Sequence, residues 1–250
     1  MNLILLFPED FNSPETVHLA DDRAEHLRKV LRASVGQKFK VGRVQGGIGS
    51  GEVTRIDRTG VDLKVSIPEA KPEIPVLSLI VALPRPQTLK KILEIIGACG
   101  VRELFLLQTA RVQGSFFGSK LLKDKGWMKH LRLGLEQGMK TFLSEVSVHP
   151  SLHQFLKKEF PSNSIRLIAD LESSKTLWDS PLASPHGRRP IFCAIGPEGG
   201  WLEKEVHLFE AHGFQAIHLG ATIHRVENAV TSLLAQIELL QLKFSKETTE

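Results

Sequence analysis

The chain has 250 residues, 42% of them hydrophobic and 24% charged, with a net charge of +4 and only two cysteines. That composition suits a globular protein with a sizeable core and excludes a disulfide framework or a CxxC metal pair. The N-terminal apolar run, LILLF, spans five residues with no basic region before it. It is too short for a signal peptide or a membrane span and reads as a first strand, so a cytoplasmic protein with no membrane partner is expected.

The charge is unevenly spread. Residues 23–43 hold seven basic side chains (Arg23, Arg28, Lys29, Arg32, Lys38, Lys40, Arg43) against one acid, Glu25. Residues 85–140 hold eleven basic and four acidic side chains, whereas residues 141–250 hold ten and thirteen. Two separate basic zones point to a polyanionic partner, nucleic acid first.

In chain order, residues 1–70 read as a small β-rich module. Alternating stretches at 38–44, 51–56 and 61–67 are separated by glycines and Asp-Arg-Thr-Gly, as strands joined by tight turns are. One amphipathic helix is expected over 22–31, with Leu27, Val30 and Leu31 on one face and Asp21 or Asp22 as its cap. Residues 68–75, PEAKPEIP, carry three prolines and read as a linker.

Beyond the linker the pattern changes. The apolar run 76–83 predicts a strand buried on both faces. Further strands are expected at 104–107, 165–169, 191–195 and 214–219, with helices at 90–98, 120–139, 203–211 and 227–242. Strands alternating with helices imply a parallel sheet covered on both sides. The Ser/Pro/Arg-rich stretch 180–190 reads as an exposed loop.

Two loops follow strands of this set. The first is Gly196-Pro197-Glu198-Gly199-Gly200. Its glycines let backbone approach a ligand, yet there is no P-loop lysine, and Glu198 would repel phosphate. A neutral or cationic ligand fits better than a nucleotide, and the bland reading is a plain strand-to-helix turn. The second, 218–230, reads HLGATIHRVENAV and places Arg225 and Glu227 two apart at a helix start. Arg225 offers a fork of donors, and Glu227 could orient it or cap the helix. Two such loops on adjacent strands would share one cleft.

Together GPEGG at 196–200 and LG-x-x-I-x-R-x-E-x-A at 219–229 resemble the signature of the RsmE-type methyltransferases of the SPOUT superfamily. His26-Leu27, Val30-Leu31-Arg32 and Gly36 resemble that family's N-terminal module, and Glu136-Gln137 resembles its Glu-Gln pair. The resemblance implies an α/β fold: a C-terminal SPOUT-type parallel sheet with a deep trefoil knot, preceded by a small PUA-like β-barrel. Residues 1–70 would bind RNA and residues 76–246 would carry the methyltransferase. It implies S-adenosylmethionine as cofactor, held by Leu171, Ile195, Gly196, Pro197, Gly199, Gly200, Leu219, Gly220, Ile223, Arg225 and Ala229. It implies a homodimer that methylates N3 of a uridine near the decoding site of 16S ribosomal RNA, in free RNA or in the 30S subunit. Arg23, Arg28, Arg32 and Arg111 would then contact RNA.

Uracil N3 carries a proton and is a poor nucleophile, so the site must take that proton or stabilise the anion. Arg225 is the first candidate for stabilising the carbonyl oxygens; Glu198 or Glu227 would orient it or receive the proton. The chain departs from the family pattern at Ile95, Ala98, Val112, Gly138 and Lys140, which keeps in view an RNA-binding protein of this fold without catalysis. Cys99 and Cys193 are expected to be buried and inert, Trp127 and Trp201 to be packing residues, and no metal site is expected. Val230, Leu233, Leu234, Ile237 and Leu240 form a helical stripe for the core or a dimer contact.

Overall fold

The first strand belongs to two cores at once. The computed structural model describes residues 3–247, and β1 spans Ile4–Leu6. Ile4 and Leu6 pack into the core of an N-terminal sheet, whereas Leu3 and Leu5 pack into the core of a second, larger one. Successive strand residues point to opposite faces, and here neither face meets solvent: the four side chains are 0–2% exposed. The run LILLF is therefore apolar throughout because it lies between two layers.

The N-terminal sheet adds β2 (Phe11–Ser13), β3 (Thr16–Leu19), β4 (Lys38–Arg43), β5 (Ile48–Ile56) and β6 (Val61–Ser66). Its order is β1-β4-β5-β6-β3-β2, with β1 parallel to β4 and every other pairing antiparallel. The three expected strands are present, while β2 and β3 are too short and too polar to stand out in the sequence. Helix α1 (Asp22–Glu25) is capped by Asp21, whose carboxylate accepts from the Arg23 amide at 2.9 Å. It continues as a π-turn over His26–Val30. That wider turn changes the face predicted from a 3.6-residue period: Leu27 is buried, but Val30 is 63% exposed.

A polar seam joins the two layers. Helix α3 (Met128–Gly138) brings Arg132 against Asp22 at 2.7 and 2.9 Å and places Glu136 where its carboxylate accepts from the Leu5 amide at 3.1 Å. Burial opposes the charge on Asp22, but Lys129 and Arg132 outweigh it and hold the carboxyl below its usual range. Burial pushes the Glu136 carboxyl up, against the pull of Arg132 and the Leu5 amide.

The larger sheet is wholly parallel, in the order β12-β10-β11-β7-β8-β9. Its strands are β7 (Leu77–Ala82), β8 (Glu103–Leu107), β9 (Glu145–His149), β10 (Ile165–Ala169), β11 (Ile191–Ile195) and β12 (Gln215–Ile217). Every residue of β7 and β11 is buried, as two covered faces require. The connecting helices are α2 (Pro86–Cys99), α3, the short α4 (Leu152–Leu156), α5 (Glu203–Ala211) and α6 (Val226–Glu247).

Several expectations are corrected. The helix predicted over 120–139 starts only at Met128; residues 120–127 form turns in which Lys125 has φ +55°. Strands β11 and β12 are not neighbours, because β10 lies between them. The 180–190 stretch is not simply exposed, since Leu182 is fully buried and His186 nearly so. Cys193 is buried, but Cys99 is exposed. The stripe on α6 is core: Val230, Leu233, Leu234, Ile237 and Leu240 are all at most 6% exposed.

The departure at Gly138 has a packing cause. Helices α2 and α3 cross so closely that a methyl group at Gly134 or Gly138 would collide with the backbone of Glu94 or Ala98. Glycines on both sides, Gly97 on α2 and Gly134 and Gly138 on α3, permit that approach.

Because Leu5 is fully buried between the two layers, Leu5→Ala is expected to lower stability by about 2–5 kcal/mol. Urea unfolding of the purified chain checks this.

Candidate functional site

All strands of the large sheet are parallel, so β10, β11 and β12 leave it at the same edge. Leu171 follows β10, Gly196 follows β11 and Leu219 follows β12. Ligand sites in open parallel sheets lie at this carboxyl edge. The structure therefore gathers the residues predicted to hold a cofactor along three neighbouring strand ends rather than two. Leu171 and Ile223 expose apolar side chains there, 60% and 78% accessible. Gly200 (φ +72°) and Gly220 (φ +132°) adopt backbone conformations that disfavour other residues. Ile195 ends β11 at 3% exposure, so only its backbone can reach a ligand.

The glycine loop is shaped by its own neighbours. A Cβ on Gly196 would lie 3.2 Å from the Trp201 indole. That indole donates to the Ala169 carbonyl at 3.0 Å and meets Phe209 edge-on at 5.1 Å, so Trp201 is a packing residue. A Cβ on Gly199 would lie 3.2 Å from Arg111 Cδ. Arg111 Nη1 donates to the carbonyls of Gly199, of Trp201 at 3.3 Å and of Gly200 at 3.4 Å. Arg111, expected to meet RNA, is exposed and bonds the loop through Nη1.

Glu205 was not visible as a site residue. It is 6% exposed, and its carboxylate accepts from the Ala110 amide and the Leu202 amide, both at 2.9 Å. Its one sequence signal is an acid three residues past the N-cap Leu202, a capping-box position.

The predicted carboxylates do not orient Arg225. Glu198 accepts from the Arg85 amide at 3.3 Å. Glu227 is paired with Lys91 at 3.0 Å, with its side chain only 12% exposed. Its own backbone N–H, against the pull of burial and with help from Lys91, holds the carboxyl below the usual range. Arg225 is exposed one residue before α6, and among the described residues no hydrogen bond or ion pair joins it to either carboxylate. Its charge acts on Glu227 only through space.

Of the four arginines expected to meet RNA, Arg23 is structural. It is 5% exposed, with a two-pronged pair to Asp10 at 2.7 Å and further bonds to Asp21 and the Leu5 carbonyl. Burial works against its charge, but those aspartates raise its pKa further. Arg28 donates to the Asp57 carbonyl at 2.8 Å. Arg32 is exposed in a left-handed conformation, φ +48°. Among the described residues no cluster of His, Cys, Asp or Glu could hold a metal, and no helix is long and apolar enough to cross a membrane.

An α/β protein with a parallel sheet, glycine-bearing loops at one edge of it, and a β-rich module carrying a basic stretch at residues 23–43 is thereby defined. A family model described as an RNA methyltransferase domain matches residues 72–238, and one described as an RNA methyltransferase PUA domain matches residues 19–66. The chain belongs to the RNA methyltransferase family. Ribosomal RNA small subunit methyltransferase E of Treponema pallidum is 29% identical over 248 residues, covering 95% of this chain and 90% of that protein. Ribosomal RNA small subunit methyltransferase E 1 of Borreliella burgdorferi is 26% identical over 251 residues, covering 97% and 100%. A crystal structure of ribosomal RNA small subunit methyltransferase E from Neisseria gonorrhoeae, bound to S-adenosyl methionine, superposes with a TM-score of 0.79 at 23% identity, covering 96% of this chain and 98% of that one. That likeness shows a shared fold.

The Glu227 pairing has a pH signature. A depressed carboxyl pKa contributes stability above the ordinary glutamate value of 4.5 and loses it as pH falls through the depressed value. Lys91→Met removes one of the stabilising partners, so the variant is expected to be less stable than the wild type near pH 6 and to lose less stability as pH falls below the ordinary glutamate value of 4.5. Thermal midpoints measured from about pH 6 down to about pH 3 check this.

Proposed function

We propose that the chain transfers a methyl group from S-adenosylmethionine to small-subunit ribosomal RNA, at N3 of a uridine. Membership of the RNA methyltransferase family carries this reading, and the relatives' names support the substrate class.

The residues present fit that cofactor. The edge offers exposed apolar side chains at Leu171 and Ile223, a glycine-lined backbone and the Glu198 carboxylate, with no lysine in the 196–200 loop to grip phosphate. An adenine suits the apolar flank, and a sulfonium suits a site without cationic donors in that loop. S-adenosylmethionine supplies an electrophilic methyl group; the chain must supply position and charge. The backbones of 195–200 and 219–220 hold the cofactor, with Leu171, Ile223 and Ala229 beside them.

Arg225 stabilises negative charge on the uracil carbonyl oxygens as N3 loses its proton. Glu227 is the weaker base, being paired with Lys91 and held below the usual carboxylate range. Glu198, in the glycine loop itself, is the better acceptor for that proton, directly or through water.

Residues 1–70 serve as the RNA-binding module and residues 76–246 as the methyltransferase module. Arg28, Arg32, Lys38 and Lys40 of the first are the arginine and lysine contacts to phosphate. The chain works as a homodimer in the cytoplasm, with Leu239 and Leu242, 64% and 55% exposed on α6, as apolar contact. The deep knot belongs to this reading and rests on the likeness of the 196–200 and 219–229 motifs to the SPOUT signature.

Labelled methyl groups should pass from S-adenosylmethionine to small-subunit RNA, and mass mapping should place them on uridine N3. Arg225→Ala should cut transfer at least tenfold while changing cofactor affinity less than threefold. Equal loss of both would overturn the role given to Arg225.

A further inference from the structure

The connection from β8 to α3 bonds the glycine loop through the loop's backbone. It runs through residues 108–127, longer than most connections, and begins as a rigid turn. The Gln108 side-chain amide donates to the carbonyls of Thr109, at 3.2 Å, and Val112, at 3.0 Å. The Val112 amide closes back on Thr109 at 3.2 Å, and the Val112 side chain is 7% exposed in the core. Arg111 is thus presented from a closed turn whose next residue is anchored.

From that turn Arg111 reaches three successive carbonyls, those of Gly199, Gly200 and Trp201. One residue earlier, the Ala110 amide binds Glu205, which also binds the Leu202 amide at the start of α5. Two adjacent residues of one turn are therefore tied to both ends of the segment 199–202, one through a cation and one through a buried carboxylate. Gly199 has no side chain because Arg111 Cδ occupies the space. In a trans peptide the N–H opposes the C=O. Pinning the carbonyls of Gly199 and Gly200 therefore fixes which way the amides of Gly200 and Trp201 face.

We propose that Arg111 and Glu205 are positioning residues of the cofactor site: together they clamp the 196–202 loop in its binding conformation before any ligand arrives. This rests on the reading of that loop as the cofactor loop. Arg111 acts on the cofactor through the loop backbone, and its charge is used on carbonyls rather than on phosphate.

The test uses the full chain and two variants. Arg111→Ala removes the donor fork. Glu205→Gln keeps shape but turns one acceptor into a donor that faces an N–H. In the cofactor-free protein, hydrogen exchange of the 199–202 amides should rise at least tenfold in both variants, with exchange in β7 and β11 unchanged. The KM and Kd for S-adenosylmethionine should rise at least tenfold, while kcat at saturating cofactor falls less than threefold. The dependence of RNA affinity on salt should not change for Arg111→Ala, and Arg111→Lys should restore only part of the cofactor affinity.

Unchanged exchange at 199–202 overturns the proposal. So does a salt slope smaller by about one with cofactor affinity intact, which would make Arg111 a phosphate contact. If the wild type takes up no S-adenosylmethionine, the cofactor reading fails, and the exchange measurement still decides whether the clamp exists.

Discussion

A sheet buried on both faces leaves only its edges for chemistry. Strands β7 and β11 have no exposed residue, so no polar group can act from within the layer. The parallel direction of every strand then sends β10, β11 and β12 out on one side. Glu198, Arg225, the glycines and the exposed apolar pair Leu171 and Ile223 all occupy loops at that side. The site follows from strand direction and burial; the loops supply its specificity.

The glycines of the 196–200 loop have a less obvious meaning than ligand access. Gly196 admits the flat Trp201 indole, and Gly199 admits the stem of Arg111. Each glycine lets a large side chain of the same protein press against the backbone. The loop gains rigidity from residues that look like concessions to flexibility. A preformed loop loses less conformational freedom on binding, which favours affinity.

Much of the large sheet was legible because buried parallel strands appear as uninterrupted apolar runs, as at 76–83 and 191–195. The spatial order was not, because nothing in a run of apolar residues says that β10 separates β11 from β12. The helix expected at 120–139 failed over its first eight residues. Leu121, Leu122 and Trp127 pack there as anchors of a turn-rich connection. The site loops were visible from their glycines and charges. The use made of Arg111 and Arg23 was not, because a charge count cannot separate an arginine in solvent from one bound to carbonyls 88 residues away or sealed against two aspartates. Glu205 was hidden for the same reason: its Ala110 partner lies 95 residues earlier.

The two-faced first strand also sets a schedule. Leu5 is made well before the Glu136 carboxylate that receives its amide, which lies 131 positions downstream. At roughly 5–20 residues per second of synthesis, the interval is on the order of ten seconds. During it, one side of β1 can rest on the N-terminal sheet while Leu3 and Leu5 remain bare. The nascent chain therefore carries an uncovered apolar strip on the ribosome until α3 emerges, the stage at which a holding chaperone has most to protect.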